Sequence, residues 1–396
     1  MNRRQFLFTG TAAAAAATRG MSARAYGAIL GANDRVGLGV IGLGRRGSIV
    51  SAAFAQDSRV EFRALADVYD QQVTEFQRRF NDHVAKAAVL VEYQKLLERK
   101  EVDAVFIAAP DHLHVQIAKD ALAAGKNIYL EKPTLHRWSE RATLEKAAAG
   151  SKSILQCGTQ QRSGAHYLRA KQEIFDTQKL GKVLFARAVW HNFPWQRRVI
   201  PSQPKPAGLN WDLFLGDAPR VPYETSRYSS WRSYHDYGNG LLADILTHWA
   251  DVAQWMLNDN QPVSAVALGG DYQLHGDLTN PDTVSAMVRY KDWNLNFESS
   301  VLSIRNEHPS VFFEGTEGSL DLTREGYTFT PNNGAPIQVT TSESLERTHT
   351  GNFIDAIIKG DKVNASLTDG LAASLPVMLA LDAYWSRKVS WASELS

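Results

Sequence analysis

The tract Arg35-Val36-Gly37-Leu38-Gly39-Val40-Ile41 runs directly into Gly42-Leu43-Gly44-Arg45-Arg46-Gly47, and a helical stretch, Ser48 to Ala55, follows. An apolar strand, G-x-G-x-x-G and a helix in that order constrain the fold more than any other feature of the chain. They are the context of a dinucleotide-binding turn. Gly42 permits the tight turn, Gly44 lets the backbone approach a pyrophosphate, and Gly47 packs helix on strand. The helix N-terminus then offers its uncapped amides and positive dipole end to the phosphates. A second apolar run, Val60 to Ala66, ends in Asp67, 20 residues after Gly47. A carboxylate there accepts hydrogen bonds from a ribose diol and repels a 2′-phosphate, which favours NAD over NADP. Arg45 and Arg46 can reach a phosphate, so NADP stays open.

The alternation continues through helical Asp70–Phe80 and Tyr93–Lys100, strand Ala104–Ala108, helix Val115–Ala124 closed by Gly125, and strand Asn127–Leu130. Strands alternating with helices predict a doubly wound parallel sheet over about residues 34–155. Ligands of such sheets bind beyond the carboxyl ends of the strands. Pro110, Asp111, His114, Glu131 and Lys132 therefore join the cofactor candidates. Of these, His114, like His112, reads first as a packing and hydrogen-bonding residue. Residues 156–396 differ: β-rich runs at Val183–Trp190, Val263–Leu268, Thr283–Tyr290 and Leu295–Leu302 are separated by Gly, Pro and Asn turns, as an antiparallel sheet with one covered face requires. Helical stretches at Asn352–Lys359 and Leu371–Ala383 are candidates to pack back on the first domain. A long segment at about 191–239 carries Pro194, Pro201, Pro204 and Pro206. Its aromatics Tyr228, Trp231, Tyr234 and Tyr237 either stack on sugar faces or pack the loop itself. Arg162, Arg232, His191 and Gln160 are candidate partners for substrate hydroxyls.

Composition removes several classes. Lys and Arg number 43 against 42 Asp and Glu, a balance unlike that of a nucleic-acid binder. No apolar run reaches the roughly 20 residues of a membrane-spanning helix. The single Cys157 leaves no disulfide framework and no cysteine cluster for zinc, and reads as a buried, inert thiol. Residues 1–25 pair Arg3-Arg4 with Phe6-Leu7, an Ala-rich stretch and Ala23-Arg24-Ala25, the parts of a twin-arginine export signal. Removing their four arginines, with no acids, from a chain of net charge +1 leaves −3. The expectation is a periplasmic protein passed through the Tat machinery. Outside the cytoplasmic nicotinamide pool, it would hold its cofactor tightly.

The chain resembles the glucose–fructose oxidoreductase/inositol dehydrogenase family, Gfo/Idh/MocA. The residues that carry this are 42–47, Ala109-Pro110-Asp111-His112-Leu113-His114, Gly125 through Glu131-Lys132-Pro133, Gly158-Thr159-Gln160-Gln161-Arg162, and Gly238-Asn239-Gly240 with Asp244, His248, Asp251 and Trp255. The resemblance implies a Rossmann domain followed by an α+β domain on a large open, mostly antiparallel sheet. It also implies hydride exchange between a nicotinamide and a sugar or cyclitol carbon, and a dimer or tetramer. Lys132, Asp244 and His248 match the family's catalytic set. Chemistry points the same way, because oxidising a secondary alcohol needs a base for its proton. Asp244 and His248 lie four apart in helical Gly240–Leu257, so the carboxylate is expected to orient the imidazole. Lys132 would stabilise alkoxide charge, and Glu131 would position Lys132 or the cofactor. Read without the family, Asp244 and His248 are also a helix-surface pair, or two metal ligands lacking a third. An alternative within the fold is a glycoside hydrolase that oxidises, eliminates and re-reduces through bound NAD. A non-catalytic sugar or dinucleotide binder is the third class.

Overall fold

The computed structural model describes residues 35–191, 200–272, 274, 278–301 and 309–395. The export-signal reading at 1–25 and Pro194 lie outside the described residues. Six strands build the first sheet: β1 Val36–Ile41, β2 Val60–Ala66, β3 Ala88–Leu90, β4 Ala104–Ile107, β5 Asn127–Leu130 and β6 Leu155–Cys157. Their order is β3-β2-β1-β4-β5-β6, and every pairing is parallel. β1 and β4 are buried along their whole length, as an apolar run covered on both faces must be. The helices include α1 Arg45–Phe54, α2 Asp70–Arg79, α3 His114–Ala123 and α4 Arg141–Ala149. Strand order reverses between β1 and β4, which opens a crevice beyond their carboxyl ends. The 155/156 boundary falls inside β6, so the first sheet runs to Cys157.

The second sheet has nine strands in the order β14-β13-β12-β11-β7-β10-β9-β8-β15. They are β7 Val183–Val189, β8 Ser264–Gly270, β9 Thr283–Arg289, β10 Asn294–Ser300, β11 Ser310–Gly315, β12 Gly318–Thr323, β13 Gly326–Pro331, β14 Ile337–Thr340 and β15 Ser390–Trp391. β7 and β10 pair in parallel; the other pairings are antiparallel. β7, β8, β9 and β10 correspond to expected runs, whereas the meander β11–β14 has no counterpart among them. Its strands alternate cleanly (Val311, Phe313, Leu320 and Leu322 inward) but are short and dense in Gly, Thr and Asn. One face packs on α5 Thr247–Leu257 and α7 Leu367–Ser386. The other exposes Leu184, Val266, Leu268 and Met287.

Three connections fasten the two sheets together. Helix α6 Leu345–Lys359 packs on α1 and β1, where Phe353 and Ile354 are fully buried with Phe54, Phe106 and Tyr129. Arg162, just past β6, ties α5 to α7 through Asp251 and Asp369. The third is the 206–237 segment, which forms a small core of its own from Leu209, Trp211, Phe214, Leu215, Tyr234 and Tyr237. It reaches the first domain through Asn210 N–H donating to Val68 O (2.8 Å) and Asp70 N–H to Gly208 O (3.2 Å). Tyr234 and Tyr237 are thus buried packing residues and not exposed sugar platforms, because this segment folds around its own aromatics.

Candidate functional site

The glycine turn follows from backbone geometry. Gly42 adopts φ +88°, and a Cβ on Gly47 would lie 2.1 Å from Gly42 O, so neither position admits a side chain. Gly44 starts α1 with no side-chain cap, and a Cβ there would meet nothing within 4 Å. Open space in front of uncapped amides is what a pyrophosphate needs. At the end of β2, the Asp67 carboxylate accepts from Leu43 N–H (2.7 Å) and Tyr69 N–H (2.9 Å), which ties it to the turn. Burial pushes its carboxyl up to about 6 against those hydrogen bonds. A cleft of about 770 Å³ extends from this turn. Gly42, Gly44, Arg45, Arg46, Asp67 and Pro110 line it from the first domain, and Asp212, Phe214, Tyr228, Trp231 and Arg232 from the second. The donor set and the space fit a dinucleotide.

Several candidates stand elsewhere than expected. His114 does not line the cleft: its buried ring lies between Pro133 O (Nδ1, 2.8 Å) and Ala109 O (Nε2, 2.9 Å), bracing the ends of β4 and β5 from behind. Burial takes its imidazole down to about 4. Asp111 is buried beside Gly238, and burial raises its carboxyl to about 7 although Arg232 and Lys132 pull the other way. Arg162 is spent on structure. Its Nε donates to both Asp251 oxygens (2.8 and 2.9 Å), Nη1 reaches Asp369 at 3.0 Å, and Trp255 lies beneath, so two carboxylates of the fold fix its position. Trp231 and Arg232 wall the cofactor cleft, with the guanidinium 4.1 Å over the indole. His191 Nδ1 accepts from Ser300 N–H at 3.1 Å.

Lys132 leaves the end of β5 and meets the second domain. Its Nζ donates to Asp244 O (2.7 Å) and to Asp244 Oδ1, which also has Arg232 Nε at 3.5 Å. Burial opposes the charge on Asp244, yet Lys132 and Arg232 outweigh it and hold the carboxyl well below the usual range. The expected Asp244–His248 hydrogen bond is not made. Asp244 sits in a π-helical turn, Leu242–Leu246, ahead of α5, where the two cations take its oxygen. His248 Nδ1 instead faces Gln161 Oε1 at 3.1 Å. With the amide oxygen as acceptor, Nδ1 carries the hydrogen and Nε2 keeps its lone pair. Burial, then Lys132, Arg324 and Arg46, hold the imidazole well below its ordinary value, with Asp244 opposing. His248 is therefore neutral.

Glu131 positions both neighbours: Oε1 accepts from Arg46 Nε (2.7 Å) and Oε2 from Lys132 N–H (3.2 Å). Arg46 is thus held in an ion-pair network with Glu131 and with Glu346 (3.1 Å), and Gln160 Nε2 also donates to Glu346 (3.2 Å). Sequence reasoning missed Glu346 and Arg324. They lie far along the chain in elements with no motif, and Gln161 appeared only inside a motif with no role. Among the described residues, no cluster of three or more His, Cys, Asp or Glu is placed to hold a metal, and no helix is long and apolar enough to cross a membrane.

Comparison with known proteins places these features in a family. The model of the Gfo/Idh/MocA oxidoreductase family's NAD-binding Rossmann fold matches residues 36–159, and that of the family's C-terminal domain matches 167–321. Oxidoreductase P35 of Formosa agariphila is 30% identical over 297 residues, 74% of this chain and 84% of that one. Levoglucosan dehydrogenase of Pseudarthrobacter phenanthrenivorans is 25% identical over 324 residues, 74% of each. A solved levoglucosan dehydrogenase in complex with NADH superposes with a TM-score of 0.72 at 19% identity, covering 90% of this chain and 99% of the other. The chain belongs to the Gfo/Idh/MocA family of oxidoreductases, and its first domain is that family's NAD-binding Rossmann fold.

Proposed function

We propose that the protein is an NAD-dependent oxidoreductase acting on a secondary alcohol of a sugar or cyclitol. The observation that carries this is the convergence of Lys132 from β5 with Asp244 and His248 from the second domain, beside the glycine-turn cleft. Its relatives include a levoglucosan dehydrogenase and inositol 2-dehydrogenases. Bound NAD supplies the hydride acceptor. His248 Nε2, neutral and with its lone pair available, takes the proton of the substrate hydroxyl. Lys132 Nζ hydrogen-bonds the same oxygen and balances its developing negative charge. Asp244 holds Lys132, and Gln161 sets the His248 tautomer. Asp67, ionised, disfavours a 2′-phosphate and so selects NAD over NADP. The 206–237 segment walls the cleft opposite the glycine turn, which supports a cofactor retained through turnover.

The reading extends to the whole protein: export by the twin-arginine route, a periplasmic location, and a homo-oligomer through the open face of the second sheet. Mass spectrometry of the purified protein tests for retained NAD, and a sugar, cyclitol and glycoside panel follows reduced nicotinamide absorbance. The expected result is NADH formation with a sugar or cyclitol, lost in Lys132→Ala. Undiminished turnover in that variant overturns the mechanism. Glycoside cleavage with no accumulation of NADH identifies the elimination route instead.

A further inference from the structure

Arg324 lies in the turn between β12 and β13, outside every motif, and its charge acts on His248. Its guanidinium is 5.7 Å over the Trp190 ring, and the Trp190 ring is 6.0 Å from that of His248. Its contact with Glu346 Oε1 is 3.4 Å, the longest of three. Arg46 Nη1 (3.1 Å) and Gln160 Nε2 (3.2 Å) converge on the same oxygen. A carboxylate oxygen has two lone pairs, so two closer donors saturate it and leave Arg324 weakly held. The side chain is about one-fifth exposed, enough for a ligand to reach it. A cation beside the proposed base disfavours the imidazolium that forms when His248 takes a proton.

We propose that Arg324 is a substrate-binding residue that selects a sugar acid, its guanidinium gripping the carboxylate. This rests on the sugar oxidoreductase reading and names the substrate class for the same site. A planar guanidinium matches a carboxylate in a two-point fork. Binding then has an electrostatic consequence. The charges acting on His248 are Lys132, Arg324, Arg46 and, in opposition, Asp244. A substrate carboxylate at Arg324 offsets one of the three cations, so His248 accepts a proton more readily when the substrate is acidic than when it is neutral.

The test is titration calorimetry of the NAD-loaded protein with glucuronate, glucose and glucose 6-phosphate, for the wild type, Arg324→Met and Arg324→Lys. Glucuronate is expected to bind the wild type at least tenfold tighter than glucose. The gap should close in Arg324→Met through a roughly 10–100-fold loss for the acid, and Arg324→Lys should recover part of it. Thermal melts confirm that the variants are folded, and the wild-type comparison stands even where a variant is not. The acid limb of oxidation should lie at higher pH with glucuronate than with glucose. Glucuronate binding no tighter than glucose, or no tighter than the phosphate, overturns the sugar-acid assignment and leaves the oxidoreductase reading intact. Failure of every sugar, acid or neutral, to bind or be oxidised overturns both.

Discussion

Lys132 and Asp244 come from different domains yet form one buried pair. Breaking a buried pair costs up to about 3–5 kcal/mol, a cost that Arg232 at 3.5 Å from Asp244 Oδ1 reduces when Lys132 is removed. Lys132→Met should therefore lose stability along with turnover. Lys132→Met/Asp244→Asn should regain most of the stability and none of the turnover. Denaturant melts and assays of the single and double variants check this; additive losses of stability would show that the two side chains are not coupled. At this scale the gathering of these residues was legible and its wiring was not. Lys132, Asp244 and His248 each stood in a recognisable motif, but four-residue spacing assumes a regular α-helix. The π-turn at Leu242–Leu246 breaks that assumption and gives Asp244 to Lys132 and His248 to Gln161. Arg162 shows the same limit. Its type suits a sugar hydroxyl, and only the fold shows Asp251 and Asp369 waiting for it.

Among the elements, the first sheet was readable because buried parallel strands are continuous apolar runs bounded by glycine and helix. β1, β4 and β5 stand out in the sequence for that reason. The meander β11–β14 alternates apolar and polar over short lengths, with turn residues inside the pattern, and its signal merges with that of loops. Helix α6 is the element whose role is least apparent from its position. Its residues Phe353 and Ile354 complete the core between α1 and β1, nearly 200 residues after the strand order of that sheet is established. Phe353→Ala should cost about 3–5 kcal/mol. The loss should appear as weakened NAD retention as well as a lower melting temperature, because α1 carries the glycine turn at its start. Equilibrium dialysis with NAD, beside a thermal melt, checks both; normal retention in a destabilised variant would mean that α6 supports the core without supporting the turn.

For the molecule as a whole, burial of ionisable groups sets the response to acid. Burial holds His112, His114 and His349 down to about 4 and His136 to about 3, and His248 well below its ordinary value. All five are neutral in the fold, whereas in the unfolded chain they take up protons near pH 6.5. Their contribution is complete above about pH 6.5 and is lost as pH falls from there toward 4. Asp67 and Asp251, raised by burial to about 6, and Asp111, raised to about 7, act in the opposite sense, since they protonate in the fold before they do in the unfolded chain. Burial also lowers His166 and His235 and raises Glu140, so among the described residues seven such histidines outnumber four such carboxyls and the melting temperature should fall between pH 6.5 and 4.5. Calorimetric melts across that range check this, and a flat or rising trend toward acid would show that the carboxyls dominate.

The placement of α6 also bears on synthesis. The first domain's sheet is complete at Cys157, but the layer over α1 and β1 lacks Phe353 and Ile354 until the other end of the chain has emerged. At about 5–20 residues per second, roughly 200 intervening residues take on the order of 10–40 s on the ribosome. For that interval the nascent Rossmann unit presents an apolar groove beside its own glycine turn. The domain that begins first therefore waits for a helix that is made only after most of the second sheet.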